Sequence, residues 1–292
     1  METILVTGGF GFIGSSIIKE LNNREITDIV VVETSDKFME IADLQISDYY
    51  SDTDFGYLSY TYDKVFHLGG YTAHTDSFEN CKSNFEFTKM LLDKLKINKT
   101  FSYASSASVY GNISNTAINE NSPLHPTSPY SFFKALTDQY MFSKCNKSYN
   151  IQSLRYFNVY EEKSITKYEQ GQCSPIYKFK KQAIENQLII VFENSENIYR
   201  DFVNVNDVVN AQIDLSEHNV SGIYNLGSGN ATSFKTIADL IAQKFKAKIE
   251  IIEFPSNLFN TYQWYTLADI SKIKLELPNY NPISVEQYIL NL

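Results

Sequence analysis

The chain has 292 residues, 43% of them hydrophobic and 20% charged, which suits one large α/β unit or a core domain with a smaller appendage. A formal net charge of −9 argues against nucleic acid or an anionic membrane as the main partner, because both require clustered Lys and Arg. The three cysteines Cys81, Cys145 and Cys173 are scattered without a CxxC, and the four histidines lack ligand spacing, which argues against a disulfide frame and against any metal site.

In chain order, TILVTGG (residues 3–9) reads as a buried strand running into glycines, and FIGSSIIKEL follows with the helical spacing of Phe12, Ile13, Ile17, Ile18 and Leu21. The opening METILVTGGF has no basic n-region, so no signal peptide is expected. DIVVVE (28–33) is a second buried strand, KVFHLGG (64–70) another, and TFSYASSAS (100–108) another. A helix is expected over NFEFTKMLLDKLK (84–96), a further helix over SPYSFFKAL, and a strand over IQSLRYFNV. Strands alternating with helices imply an α/β fold, a doubly wound parallel sheet of Rossmann type. Residues 1–160 are expected to form the dinucleotide-binding domain.

Past residue 160 the texture changes. EEKSITKYEQGQ (161–172) is polar and reads as a loop; a helix, the strand LIIVF and RDFVNVNDVVNAQIDL follow. GIYNLGSGNATSFKTIADLIAQKF reads as strand, Gly-rich turn and helix, with Ser233 as its cap. Residues 161–292 are expected to form a smaller mixed α/β substrate lobe interleaved with the first sheet. The longest apolar runs, such as IVVV and LIIVF, are too short to span a bilayer, so a cytoplasmic chain is expected.

TGGFGFIG places Gly8, Gly11 and Gly14 between a buried strand and a helix. Gly8 permits a tight turn, Gly11 lets the backbone approach a pyrophosphate, and Gly14 lets helix and strand pack closely. The helix N-terminus then turns its free N–H groups toward the phosphates, a local positive site that spends no arginine. Glu33 ends the second strand 19 residues after Gly14, where a carboxylate binds the adenosine ribose hydroxyls and favours NAD. Lys37 is placed to hold a 2′-phosphate instead, so NAD and NADP both stay open.

SPYSFFKAL carries Tyr130 and Lys134, four residues apart and so on one helix face. A phenol beside an ammonium is a route to a tyrosine that passes protons near neutral pH. Three other pairs share that spacing: Tyr60/Lys64, Tyr140/Lys144 and Tyr177/Lys181. Ligands of parallel α/β sheets bind outside the carboxyl ends of the strands. Tyr60/Lys64 falls at the wrong end of its strand, where i and i+4 lie about 13 Å apart. Tyr177/Lys181 belongs to a basic, solvated run, and Tyr140/Lys144 lies further from its helix start. Tyr130 begins its helix after Pro129, downstream of a strand that ends in Ser105 and Ser106. Serine orienting a hydroxyl, tyrosine taking its proton and lysine acidifying the tyrosine make a dehydrogenase set.

Together TGGFGFIG, YASSASVYG, SPYSFFK, LRYFNVY and RDFVNVNDV resemble the extended short-chain dehydrogenase/reductase family over nearly the whole chain. The second half, with FENSENIYRDFVNVNDVV, NVSGIYNLGSGNATSFKTIADLI and IEFPSNLFNTYQWYTLADI, is most similar to the ADP-glyceromanno-heptose 6-epimerases of that family. The resemblance implies catalytic roles for Tyr130, Lys134 and Ser106. It implies a cofactor site at Gly8, Gly11, Phe12, Ile13, Gly14, Leu68, Gly69, Gly70 and Asn84. It also implies a nucleotide-sugar surface at Ser106, Asn158, Lys178, Phe192, Ser195, Arg200 and Tyr262.

Such epimerases oxidise a sugar carbon, turn the ketone over and return the hydride to its other face, which calls for a second acid/base. The resemblance points to Lys167, with Lys163 behind it. The chain departs from the family pattern in several places, including about two extra residues after Lys167. Glu161 and Glu162 replace a Gly-Pro, Lys178 stands in place of a histidine, and Asp52 takes the place of a cofactor-contacting lysine. The resemblance implies NADP and a homo-oligomer. The alternatives are another NDP-sugar 4-epimerase, an NDP-sugar reductase, or a non-catalytic NAD(P)-binding protein. A 4,6-dehydratase would need an Asp-Glu pair where Ala107 and Ser108 follow Ser106.

Overall fold

The computed structural model describes residues 2–33, 43–51, 61–72, 77–112, 116–144, 148–160, 173–256 and 262–292. In chain order the first elements are β1 (Ile4–Thr7), α1 (Phe12–Asn23), β2 (Ile29–Glu33), β3 (Asp48–Ser51), β4 (Thr61–His67), α2 (Phe78–Lys94), β5 (Lys96–Ser106), α3 (Pro129–Phe142) and β6 (Asn150–Tyr156). There follow β7 (Asn158–Tyr160), α4 (Pro175–Asn186), β8 (Leu188–Phe192), β9 (Tyr199–Asn204), α5 (Val205–Glu217), β10 (Gly222–Leu226), β11 (Ala231–Ser233), α6 (Phe234–Phe245), β12 (Lys248–Ile252), α7 (Ser271–Glu276) and α8 (Val285–Asn291).

The central sheet has seven strands in the order β10-β6-β5-β4-β1-β2-β3. β1 pairs parallel with both β2 and β4, so the chain winds outward in two directions from it. This is the doubly wound Rossmann sheet, and ligands of such sheets bind at the strand ends where the winding reverses. β1 and β2 are buried on both faces, as their unbroken apolar runs dictate. β3 has the sequence DYYS, whose polar edge-strand composition carries no apolar period for a sequence reading to find.

By contact the chain falls into two compact units, residues 1–109, 126–155 and 209–224 in the first and 110–125, 156–208 and 225–292 in the second. In the first, Leu5, Val30, Val65, Leu91, Phe101 and Ile151 belong to one core cluster. α3 is tied to β6 by Asp138, whose carboxylate accepts from Ser153 Oγ at 2.5 Å and from Arg155 Nε at 2.8 Å. Both partners of that Arg155–Asp138 ion pair are buried, so losing either one leaves an uncompensated charge, a loss of about 3–5 kcal/mol. In the second unit Ile176, Phe179, Ile189, Ile237, Ile241 and Ile289 form the core between α4, β8, α6 and α8. There β11-β9-β7 makes a three-stranded sheet and β12-β8 a two-stranded one.

α2 starts at Phe78, six residues before the expected Asn84, because Ser77 caps it by accepting the Asn80 N–H at 3.1 Å. Among the described residues no helix is long and apolar enough to cross a membrane.

Candidate active site

β1 ends at Thr7, and the chain turns at Gly8 with φ of 70°, a left-handed conformation that glycine takes without strain. A Cβ on Gly14 would lie 2.1 Å from the Gly8 carbonyl oxygen, so only glycine lets α1 sit this close to the turn. Gly11 is the N-cap of α1 and supplies no side-chain cap. Ser77, Ser128, Ser174 and Ser233 cap α2, α3, α4 and α6. A glycine at this helix start puts no side chain in the path of an anion approaching the first turn of α1, around Phe12 and Ile13.

Glu33 closes β2, and its Oε2 accepts the Phe10 N–H at 3.3 Å, which places the carboxylate beside the glycine turn. Leu68, Gly69 and Gly70 leave the end of β4 and run against the same turn: a Cβ on Gly8 would come within 2.6 Å of the Gly69 nitrogen. Asn84 clamps the far side of that loop. Its Oδ1 accepts the Tyr71 N–H at 2.9 Å and its Nδ2 donates to the Tyr71 carbonyl at 2.8 Å. Helix N-terminus, tight glycine turn and strand-end carboxylate form a donor set that fits a dinucleotide: amides for the pyrophosphate and a carboxylate for a ribose. Lys37 lies outside the described residues.

Surroundings separate the four tyrosine–lysine spacings. Lys64 is buried and ion-paired with Glu2 at 2.9 Å and with Glu217. Lys144 pairs with Asp93 at 3.2 Å, and Lys181 lies 3.9 Å from Glu185. Among the described residues Lys134 has no carboxylate within ion-pair distance. Its Nζ donates to the Ala104 carbonyl at 2.6 Å, over the Tyr103 ring at 4.5 Å and 5.7 Å from the centre of the Tyr130 ring. Some of the residue reaches the surface, but its ammonium is enclosed. Burial pulls its pKa down to about 8, with Asp138 pulling the other way.

Tyr130 is the second residue of α3, and Lys134 stands one turn later. A reciprocal cap fixes that helix start: Ser128 Oγ accepts the Ser131 N–H at 3.2 Å, and Ser131 Oγ accepts the Ser128 N–H at 3.0 Å. Ser106 ends β5, and its Oγ accepts the Ser108 N–H at 3.2 Å. Ser105, its neighbour, is buried, whereas Ser106 is only partly so.

In the second unit Arg200 is buried at 6% exposure. Its Nη1 donates to the Tyr199 carbonyl at 2.8 Å, and its guanidinium lies 5.2 Å from the centre of the Tyr262 ring and 5.8 Å from that of Phe234. Arg24 pairs with Glu20 and Asp214, and Arg155 with Asp138. Among the described residues Arg200 has no such carboxylate, and burial pushes its pKa down to about 10. Tyr262, Phe254, Trp264 and Phe192 form a ring cluster beside it, with centroids 5.3 to 5.8 Å apart.

Ser195 is buried in a short 3-10 turn after β8, Asn158 opens β7 in an exposed position, and Lys178 is exposed on α4. Lys163 and Lys167 lie outside the described residues. Sequence reasoning passed over Thr7, His67, Thr88 and Tyr103. A buried polar residue at a strand end, such as the His67 of KVFHLGG, was the available signal. Among the described residues no cluster of three metal-ligating side chains occurs.

The family model described as the NAD dependent epimerase/dehydratase family matches residues 4–227. An ADP-L-glycero-D-manno-heptose-6-epimerase of Alkalilimnicola ehrlichii is 37% identical over 93% of this chain and 90% of its own length. The crystal structure of the Helicobacter pylori ADP-L-glycero-D-manno-heptose-6-epimerase superposes with a TM-score of 0.83 at 24% identity, covering 99% of this chain and 94% of that one. A Thermotoga maritima UDP-glucose 4-epimerase with UDP-glucose gives 0.80 at 22% identity, over 98% and 96%. The extent of the family match and the identity to the curated relative agree with the glycine turn and the Tyr130/Lys134 helix: the chain belongs to the NAD dependent epimerase/dehydratase family.

Proposed function

We propose that this protein is a nucleotide-diphosphate-sugar epimerase and that its substrate is an ADP-heptose inverted at carbon 6, as the name of the 37% identical relative suggests. The observation that carries the reaction class is Lys134, an ammonium desolvated one helical turn from Tyr130. The cofactor reading is NAD, because the Glu33 carboxylate receives ribose hydroxyls and repels a 2′-phosphate.

Bound dinucleotide would supply hydride acceptance and return. Tyr130 takes the proton of the sugar carbinol in the oxidation step. The Lys134 ammonium stabilises the phenolate that accepts this proton, more strongly than in water because its site is desolvated. Ser106 holds the same hydroxyl in line. The diphosphate goes to Arg200, whose planar fork binds two phosphate oxygens at once and, among the described residues, has no carboxylate to compete for it. Lys167 serves as the second acid/base and gives a proton to the carbonyl oxygen when the turned ketone is reduced. The expected site of action is surface polysaccharide heptose synthesis.

The test is incubation with ADP-D-glycero-D-manno-heptose, followed by UDP- and GDP-sugars, with stereochemical inversion read by NMR. Inversion of the heptose that is lost in Tyr130→Phe is the expected result. Turnover of a UDP- or GDP-sugar without heptose inversion would remove the heptose assignment. Full epimerase activity in Lys167→Ala would remove that residue from the two-base scheme.

A further inference from the structure

A buried chain of hydrogen bonds runs beneath the cofactor loop and takes part in no chemical step. Gly69 N–H donates to Thr7 Oγ1 at 3.1 Å. Thr7 Oγ1 lies 2.6 Å from His67 Nδ1, and His67 Nε2 lies 2.9 Å from Thr88 Oγ1. Thr88 Oγ1 donates to the Asn84 carbonyl at 2.9 Å.

A hydroxyl has one proton to give. Thr88 gives its proton to Asn84, so toward His67 it can only accept. His67 Nε2 therefore carries the hydrogen and Nδ1 is bare. The Thr7 hydroxyl donates to Nδ1, and its lone pairs remain free for the Gly69 amide. Every bond then points the same way, from loop to helix. His67 is 1% exposed and packed among the rings of Phe87, Phe101 and Tyr103. Burial, with Lys134 adding repulsion, drives its pKa down to about 3, so the imidazole stays neutral and the direction is fixed.

The two ends of the loop are held by the two ends of this hydrogen-bond chain, Thr7 and Asn84. Thr7 accepts two successive loop amides, Leu68 N–H on its carbonyl at 3.0 Å and Gly69 N–H on its hydroxyl. Asn84 accepts the last proton of the chain through its backbone and holds Tyr71 through its side chain.

We propose that Thr7, His67 and Thr88 are positioning residues, a one-way relay that fixes the Gly69 amide and so sets the loop on which the dinucleotide rests. His67 acts through Thr7 and touches neither cofactor nor substrate. The inference rests on the assignment of Leu68–Gly70 to the cofactor site.

Thr7→Val keeps the shape and removes the hydroxyl, whereas Thr7→Ser keeps the hydroxyl. In the intact protein, NADH and NADPH affinities are measured by fluorescence titration alongside the melting temperature. Thr7→Val is expected to weaken dinucleotide binding about tenfold, the equivalent of one hydrogen bond, with Thr7→Ser restored to near the wild-type value. His67→Asn, whose carbonyl can replace Nδ1 as acceptor, should bind more tightly than His67→Gln, which keeps only the donor to Thr88. Should Thr7→Val not fold, Thr88→Val against Thr88→Ser gives the same comparison.

Wild-type protein that binds neither dinucleotide overturns the cofactor assignment and the relay with it. Wild-type binding that Thr7→Val leaves unchanged, even with a lowered melting temperature, overturns the relay alone and leaves a structural hydrogen bond.

Discussion

Replacing Lys134 by methionine should abolish turnover and make the ligand-free protein more stable. The folded chain holds this ammonium at a pKa of about 8 against an ordinary 10.5. At pH 7 the group is charged in both states, and keeping it so in the folded one costs about 3 kcal/mol. Methionine is unbranched and apolar, so it fills the stem's space without the charge. It also gives up the bond to the Ala104 carbonyl, a loss of about 1 kcal/mol.

The net gain is about 2 kcal/mol, or about 4 °C in melting temperature for a chain of this size. The pH dependence carries the sign. Between pH 8 and 10.5 the unfolded wild type holds a proton that the folded state has lost, so wild-type stability rises with pH by about 1.4 kcal/mol per pH unit. The variant lacks that titration, so its advantage should shrink across the window, vanish at about pH 9.5 and reverse by pH 10. Melting of both proteins by scanning calorimetry at pH 7, 8, 9 and 10 measures this. A variant that melts at or below wild type at pH 7, or a gap that stays constant to pH 10, would refute the reasoning.

Gly14→Ala sets a methyl against the Gly8 carbonyl and Gly9 Cα, with no flexible side chain to yield, so α1 must shift off the turn. A loss of about 2 kcal/mol or more by urea denaturation, together with lost dinucleotide binding, is expected. Glu33→Gln removes the charge that opposes a 2′-phosphate, so NADPH affinity should rise relative to NADH by about tenfold in paired titrations. Arg200→Met should raise KM for the nucleotide sugar by about two orders of magnitude, because the diphosphate loses a guanidinium that has no carboxylate partner among the described residues. The same change should leave thermal stability unchanged or higher, since a desolvated charge is removed.

Local spacing carried much of the fold and part of the candidate site. The apolar runs of β1, β2 and β4 and the 3.6-residue period of α1 are properties of neighbouring residues, so the Rossmann order was legible in the sequence. Ser233 as a cap was legible for the same reason, since a cap joins residues three apart. β3 was not, because an edge strand needs no apolar face to pair with β2. The start of α2 was missed where Ser77 overrode a run with little apolar period.

Four tyrosine–lysine pairs share one spacing; position along the chain already favoured Tyr130/Lys134, and tertiary packing decides what each lysine meets. Carboxylates from distant segments, Glu2 and Glu217, neutralise Lys64, and Asp93 neutralises Lys144. Lys134 instead meets a carbonyl and a ring on β5, 30 residues away, and so keeps a perturbed charge. The three arginines divide the same way: Arg24 and Arg155 are ion-paired, and Arg200 has no such carboxylate among the described residues. Asn84 and His67 owe their roles to hydrogen bonds that join the ends of β1 and β4 to α2. Periodicity fixes which face a side chain takes; what it meets there comes from chain segments tens of residues distant, and those partners decide charge, tautomer and reactivity.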